Sequence, residues 1–167
     1  MRIPTRKSED KKHVQADPYI TQDKYDALKS KHERLLRTRP SLAKEVARLG
    51  ELGDFSENAE YQIAKGKLRG LNHRLLVIEE TLRYSKIIQT NSNTNQVRLG
   101  HKVTVEVNGK TKIYQILGST ETNPTTGIIS HNSPIGKALL GNKIGQTVTL
   151  SLSNNKTSSY KIIKIES

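Results

Sequence analysis

The chain has 167 residues, of which 33% are hydrophobic and 26% are charged, and it contains no cysteine. This composition excludes disulfide scaffolds, thiolate catalysis and cysteine-ligated zinc, and the lack of an 18-residue apolar run argues against a membrane span. Lysine and arginine number 28 against 16 acids, and the net charge of +12 favours a polyanionic partner such as a nucleic acid or its machinery. We expect one or two domains and a cytoplasmic location.

The first 18 residues are polar and lack the apolar stretch of a secretory signal. They are interpreted either as a disordered extension or as a weak electrostatic arm for RNA or DNA. The range contains five basic residues, Arg2, Arg6, Lys7, Lys11 and Lys12.

Residues 19–88 are predicted to form two helices. Thr21 is the predicted N-cap of the first helix, taken as 21–52, and Gly53 is the expected stop. Apolar residues recur at helical spacing in both halves, and such a seam needs a partner helix. The simplest arrangement is an antiparallel coiled-coil hairpin. The seam contains Leu28, Leu35, Leu42 and Leu49 in the first half and Ala64, Leu68, Leu71, Leu75 and Ile78 in the second.

Three residues oppose an uninterrupted hairpin. Pro40 lies inside the first helix, where proline is expected to kink or interrupt it. Gly66 and Gly70 each cost about 1 kcal/mol relative to alanine. Their spacing places both glycines on one face, which would suit a close approach of another backbone or a flexible segment.

The hydrophobic pattern changes to period two after a polar linker at 89–96. Val103–Val107 alternates, Asn108-Gly109 is a hairpin turn signal, and 113–117 is the return strand. Further strands are expected near 128–129, 148–152 and 160–165, and a short helix, capped by Ser133, over 134–140. The predicted fold class is α+β, with an α-helical hairpin followed by a small antiparallel β domain that has one short helix.

An acidic stretch interrupts this basic chain between Arg48 and Lys65. Asp54 and Glu57 are three residues apart at the start of the second helix, which places both carboxylates near one face. Such a pair can bind one Mg²⁺ weakly, with the remaining ligands supplied by another molecule.

The same two acids also have a structural interpretation. Asp54 at an N-cap with Glu57 at N3 would form a capping box, and acids are favoured at the positive end of a helix. This interpretation leaves two further acids, Glu51 and Glu60, unexplained, together with Phe55, which is the single phenylalanine of the chain.

Basic residues follow the acidic stretch along the second helix. Lys65 and Arg69 are four apart, while Lys67 and Arg74 lie on another stripe. These residues could hold an RNA backbone, or they could be ordinary solvated helix faces. The sequence has no Walker loop, HExxH or GxSxG motif, so chemistry carried by this chain alone has no visible residues.

Two stretches resemble signatures of the Gre transcript-cleavage factors of bacterial RNA polymerase. Residues 52–61, LGDFSENAEY, look like that family's tip sequence, and residues 129–141, ISHNSPIGKALLG, look like a segment of its second domain. Arg39-Pro40 also matches a proline that the family places in its first helix. The resemblance covers residues 19–167 and leaves the A or B subtype open, since the basic residues are closer to the B type and the second-domain segment to the A type.

The resemblance implies a coiled-coil finger and an FKBP-like globular domain. The globular domain would dock on RNA polymerase, here through Asn132, Ser133 and Pro134, while the finger enters the secondary channel. The protein is then expected to act as a monomeric accessory factor without a self-contained catalytic site.

The resemblance also implies how the finger would act. Asp54 and Glu57 would help to bind the second catalytic Mg²⁺ together with polymerase aspartates and RNA phosphate. Backtracked RNA is cut and elongation resumes. The nascent RNA 3′ segment would be steadied by Lys65, Arg69 and Arg74.

Two other functions stay open. Related channel-binding paralogues inhibit transcription rather than stimulate cleavage, so the finger could act by blocking the channel. The C-terminal domain could instead be a prolyl isomerase, although residues 97–167 contain only Tyr114 and Tyr160 for a pocket that aromatic residues normally line.

Overall fold

Two long helices are followed by a domain built on a five-stranded sheet. The computed structural model describes residues 17–51, 58–89, 94–151 and 157–167. The helices and strands, in chain order, are β1 Tyr19–Ile20, α1 Gln22–Glu51, α2 Ala59–Tyr84, β2 Lys86–Ile87, β3 Lys102–Val107, β4 Lys110–Leu117, β5 Ile128–Ser130, α3 Pro134–Leu139, β6 Thr147–Ser151 and β7 Thr157–Glu166.

The first helix begins where the sequence predicts. Thr21 is its N-cap, because the Thr21 hydroxyl accepts the Lys24 N–H at 3.2 Å. The helix continues through Pro40 to Glu51, so the expected interruption does not occur. Leu35 and Leu42, on either side of the proline, are half-buried along the seam, and packing of this kind can keep a helix intact where proline removes one backbone hydrogen bond.

The helices α1 and α2 form the predicted antiparallel hairpin. The seam residues Ala64, Leu71 and Leu75 are buried. Polar contacts join the two helices along the hairpin, with His32 Nε2 2.8 Å from Glu79 Oε1 and Arg39 Nε donating to Asn72 Oδ1 at 2.9 Å. The residue numbers rise on one helix as they fall on the other, which is the antiparallel register.

The glycines of α2 do not mark a close approach to another described part of the chain. An added Cβ at Gly66 or Gly70 would meet nothing within 4 Å. Of the two possibilities that the spacing left open, a close approach of another backbone is therefore not found among the described residues, because both glycines face open space.

The C-terminal domain is built on a mixed sheet in the order β5-β4-β3-β7-β6. Asn108 and Gly109 have φ values of 51° and 71°, as the predicted β3–β4 hairpin turn requires. The sheet is not wholly antiparallel, because β5 pairs with β4 in parallel. The chain between them passes through two short 3-10 turns, Ser119–Glu121 and Pro124–Thr126, before it re-enters the sheet in the same direction.

One face of the sheet packs under α3 to form the core of this domain. The residues that share this core are Val103, Val105, Ile116, Leu139 and Ile162, each of which is fully buried. Alternate residues of β3 point to the other side, as the period-two pattern predicts. Among the described residues, no helix is both long and apolar enough to cross a bilayer.

The hairpin closes at its base through a short parallel ladder between β1 and β2. Lys86 N–H donates to Pro18 O at 2.7 Å, and Ile88 N–H donates to Ile20 O at 2.8 Å. The second helix consequently ends at Tyr84, before residue 88, because the residues after it pair as a strand. Asp17 and Pro18, assigned to the tail by the sequence, take part in this base, whereas residues 1–16 lie outside the described residues.

The open surroundings of Gly66 lead to a stability prediction. Gly66→Ala should raise the free energy of unfolding by about 0.5–1 kcal/mol, because alanine restricts the unfolded chain and meets no obstacle in the helix. Urea unfolding monitored by circular dichroism measures the change. Gly136→Ala is the opposite control, since its Cβ would lie 2.1 Å from Ser130 O and should destabilise the protein. A loss of stability in Gly66→Ala would contradict the open setting of this residue.

Candidate functional site

In the sequence, the predicted metal-binding acids fall after the end of α1 and before the start of α2. Asp54 and Glu57 belong to residues 52–57, here called the tip segment, which lies outside the described residues, as does Phe55. The structure describes the two helix ends that carry this segment. Helix α1 ends at Glu51 and α2 begins at Ala59.

Asn58 holds these two helix ends together. Its side-chain oxygen accepts the Tyr61 N–H at 3.0 Å, which makes it the N-cap of α2. Its side-chain nitrogen donates to Leu49 O in the last turn of α1 at 3.2 Å. One amide thus satisfies a free N–H of one helix and a free C=O of the other.

The capping-box interpretation of the acids does not hold for α2. Its N-cap is Asn58 and not Asp54, and its N3 position is Tyr61 and not Glu57. The helix begins later than the sequence pattern suggests, because the asparagine can bond to both helices and an aspartate has no donor for Leu49 O. The two acids therefore precede the helix.

Near the end of α1, the positive charge of Arg48 is partly neutralised by an acid of the same helix. Arg48 donates twice to Glu45, from Nη2 at 2.9 Å and from Nε at 3.2 Å. This hydrogen bond is the main cause that holds the pKa of Glu45 below its usual value. Glu51 and Glu60, which flank the tip segment in the sequence, are both exposed.

The three predicted RNA-contacting residues are all exposed on α2, but they do not share one face. Lys65 and Arg69 are separated by about 40° around the helix, whereas Arg74 lies about 180° from Lys65 at ~100° per residue. Arg74 shares the opposite flank with Lys67. Lys65 Nζ lies 5.5 Å from the centre of the Tyr61 ring, a cation–π contact that keeps this lysine near the start of the helix.

Metal binding by the described residues alone has no support. No group of three or more histidine, aspartate or glutamate side chains within the described ranges could hold an ion. Two carboxylates in the tip segment are hard oxygen donors that suit Mg²⁺, and they would need further ligands from outside the chain.

The predicted docking residues lie in the turn that leads into α3. Ser133 Oγ accepts the Gly136 N–H at 3.0 Å and donates to Ser130 O at 2.6 Å, so this hydroxyl caps the helix. Asn132 and Pro134 are exposed. An added Cβ at Gly136 would lie 2.1 Å from Ser130 O, which explains the glycine. Of the three residues, Asn132 and Pro134 present their side chains to solvent while Ser133 shapes the turn.

Sequence reasoning missed the two polar features that position the hairpin. One is Asn58, which is the N-cap of α2, whereas the capping-box interpretation of the sequence placed that N-cap at Asp54. The other is a set of contacts between the start of α1 and the C-terminal domain, including Thr21 N–H to Glu121 Oε2 at 2.8 Å. Asparagine before a helical run is a recognisable cap signal, but nothing local in the sequence connects residues 100 positions apart.

Comparison with known proteins identifies the class to which this arrangement belongs. Residues 18–87 match the family described as transcription elongation factor, N-terminal. Residues 91–167 match the family described as transcription elongation factor, GreA/GreB, C-term. The chain therefore belongs to the GreA/GreB family of transcription elongation factors, and the resemblance seen in the sequence is confirmed.

Individual relatives agree with this assignment. Transcription elongation factor GreA of Thermomicrobium roseum is 35% identical over 150 residues, which cover 88% of this chain and 96% of that protein. Transcription elongation factor GreA of Macrococcus caseolyticus is 36% identical over 155 residues, covering 91% and 98%. Among solved structures, the GreA factor homolog 1 protein of Thermus thermophilus is 23% identical with a TM-score of 0.41, covering 90% of this chain and 99% of that one.

The double contact of Asn58 leads to a second prediction. Asn58→Ala should lower the free energy of unfolding by about 1–2 kcal/mol, because both the N-cap of α2 and the bond to Leu49 O are lost. Asn58→Asp keeps the cap acceptor and removes only the donor, so its loss should be smaller. Chemical unfolding of both variants measures the order. Equal losses would show that the bond to α1 is responsible for the whole effect.

Proposed function

We propose that this elongation factor binds RNA polymerase through its C-terminal domain, inserts the hairpin into the secondary channel and stimulates cleavage of backtracked RNA. Arrested complexes would thereby resume elongation, in the cytoplasm where bacterial polymerase works. The chain would act as an accessory factor that completes a site on the polymerase and would have no catalytic site of its own. Family membership supports the general role, and the hairpin supports this way of performing it.

The observation that supports the proposal is the pair of helix ends that flank residues 52–57 in the sequence. Helix α1 ends at Glu51 and α2 begins at Ala59, and Asn58 bonds one helix end to the other. Helix α1 has 30 residues and spans about 45 Å at ~1.5 Å per residue. A hairpin of this length can carry two carboxylates far from the domain that would bind the polymerase surface.

Asp54 and Glu57 would supply oxygen ligands at the end of the hairpin. Mg²⁺ held between these carboxylates and the polymerase would activate water and stabilise the leaving oxygen of the RNA. The contribution of this chain is to deliver two negative charges at one place and to hold them there. Glu51 and Glu60 would raise the local negative potential that attracts the cation.

The basic residues would contact RNA from two flanks of α2. Lys65 and Arg69 form one flank, about 9 Å and 15 Å along the axis from Ala59. Arg74 lies on the other flank, about 22 Å from Ala59. We therefore expect Lys65 and Arg69 to contact the same stretch of RNA backbone and Arg74 to make a separate contact.

The tip acids provide the main test. In stalled complexes of bacterial RNA polymerase with backtracked RNA, the Asp54→Ala/Glu57→Ala variant should lower the stimulated cleavage rate by at least about 10- to 100-fold, since loss of even an outer-shell partner of a metal ligand typically costs that much. Gel analysis of the labelled RNA measures the rate.

The matched control is Glu33→Ala/Glu80→Ala, which removes the same charge from exposed positions of α1 and α2 that are remote from residues 52–57 along the helices. It should retain most of the stimulation. Equal cleavage by the wild type and the tip variant would refute the proposed role of Asp54 and Glu57. Slowed nucleotide addition without cleavage would instead support a channel-blocking regulator.

The proposed RNA contact of Lys65 and Arg69 gives a separate test. Lys65→Ala/Arg69→Ala should weaken binding to backtracked complexes and reduce the slope of log affinity against log salt by about 1.4, since each phosphate contact to a single strand contributes about 0.7. Titrations at several salt concentrations measure the slope. Lys29→Ala/Lys31→Ala, which removes two exposed charges from α1, should leave the slope almost unchanged. The same slope for both variants would argue against an RNA contact at Lys65 and Arg69.

A further inference from the structure

A partly buried polar cluster joins the start of α1 to the C-terminal domain. The Asp17 carboxylate, whose side chain is only 5% exposed, accepts hydrogen bonds from Ser119 N–H at 2.7 Å and Ser119 Oγ at 2.8 Å. Burial by itself would raise the pKa of Asp17, but these bonds, the Tyr19 N–H and the nearby His131 hold that pKa below its ordinary value. The carboxylate is thus stabilised in its ionised form.

A second carboxylate makes a parallel contact at the first residue of the hairpin. Glu121 Oε2 accepts the Thr21 N–H at 2.8 Å, and Glu121 Oε1 accepts the Thr21 hydroxyl at 2.6 Å. The same hydroxyl caps α1. An acid of the C-terminal domain therefore completes the N-terminus of a hairpin helix, where the helix dipole favours negative charge.

Gly118 allows these contacts to form. A Cβ at this position would lie 1.8 Å from Tyr19 O and 2.9 Å from Tyr19 C. Its φ of −68° and ψ of 160° are accessible to every residue type. The glycine is therefore required by the close passage of the Tyr19 backbone and not by its own conformation.

The cluster continues into the turn that contains the predicted docking residues. Ser119 Oγ lies 2.8 Å from Ser130 Oγ, which accepts the Asn132 N–H at 3.0 Å. His131 Nδ1 lies 3.2 Å from Asp17 Oδ2 without hydrogen-bond geometry, and its ring contacts Tyr19 edge-on at 5.6 Å. The segment that starts the hairpin is therefore joined to Asn132 through three successive hydrogen bonds, by way of Ser119 and Ser130.

We propose that four positioning residues fix the direction of the hairpin relative to residues 132–134, the turn that contains the predicted docking residues. These four are Asp17, Gly118, Ser119 and Glu121. The functional part of this inference rests on the proposed function, because it assumes that the domain docks and the tip segment acts. Among the described residues, the β1–β2 ladder closes the hairpin and is not hydrogen-bonded to the five-stranded sheet. Tyr19 passes close to Gly118 and contacts His131, and the polar cluster supplies the hydrogen bonds that fix the direction of the hairpin there. A hairpin about 45 Å long would convert a small rotation at its base into a displacement of several ångströms at its end.

The absence of cysteine allows a direct measurement of this orientation. Spin labels on Lys44→Cys in α1 and Thr111→Cys in β4, both exposed, report the distance between hairpin and sheet by pulsed electron paramagnetic resonance. The parent protein should give one narrow distance distribution. Gly118→Ala should shift and broaden it, because the added methyl group displaces the Tyr19 backbone. Glu121→Ala should broaden it, because Thr21 loses both bonds to the domain.

Glu106→Ala, which removes an exposed acid from β3, is the matched control and should leave the distribution unchanged. Circular dichroism confirms that each variant is folded, and Glu121→Ala keeps the test decisive if Gly118→Ala does not fold. A broad distribution in the parent protein, or an unchanged one in folded Glu121→Ala, would overturn the inference.

Cleavage assays then test the functional consequence. Gly118→Ala or Glu121→Ala should reduce stimulated cleavage about tenfold or more, since displacement of a reacting group by an ångström can lower rates by about 100-fold. Each variant should still compete with the parent protein for polymerase. Full cleavage by a variant with a broadened distribution would refute the positioning role. Failure of the parent protein to stimulate cleavage would refute the proposed function but leave the distance result valid.

Discussion

The apolar seam between α1 and α2 is the interaction on which the rest of this molecule depends. Among the described residues, neither helix packs extensively against any other helix or strand, so each buries its apolar stripe mainly against the other. The seam residues nearest the tip segment, Leu49 and Ala64, are as well buried as those near the base. This packing keeps the far end of the hairpin formed at a distance from the core of the C-terminal domain.

The apolar seam alone does not fix where the two helices end or how the hairpin is oriented relative to the C-terminal domain, and polar contacts do. Apolar packing tolerates sliding and rotation, whereas a hydrogen bond between fixed groups does not. Asn58 sets where the two helices end beside the tip segment, and Glu121 and Asp17 set where the first helix leaves the C-terminal domain. The two ends of the hairpin are thus each defined by a few buried or half-buried polar side chains.

The distribution of charge along the chain agrees with the roles proposed for the C-terminal domain and for the tip segment. The chain carries a net charge of +12, yet the residues around the tip segment are acidic. Arg48 is paired with Glu45 in its own helix at 2.9 Å, which partly neutralises its positive charge. A basic body attracted to a polyanionic complex and an acidic end suited to a cation are consistent with the proposed function.

The sequence by itself determined the hairpin, the position of the Asn108-Gly109 turn, the alternating strands and the short helix after Ser133, because these depend on periodicity and local turn chemistry. It also pointed to the family, through residues 52–61 and 129–141. Only the tertiary structure decided that β5 runs parallel to β4, that Asn58 is the cap of α2, and that Glu121 completes the start of α1. The pairing of β5 and the contact of Glu121 depend on groups distant in sequence approaching within hydrogen-bond distance, and no local pattern encodes such an approach. The cap of α2 has a local signal at both Asp54 and Asn58, and the bond of Asn58 to Leu49 O in α1 favours the second.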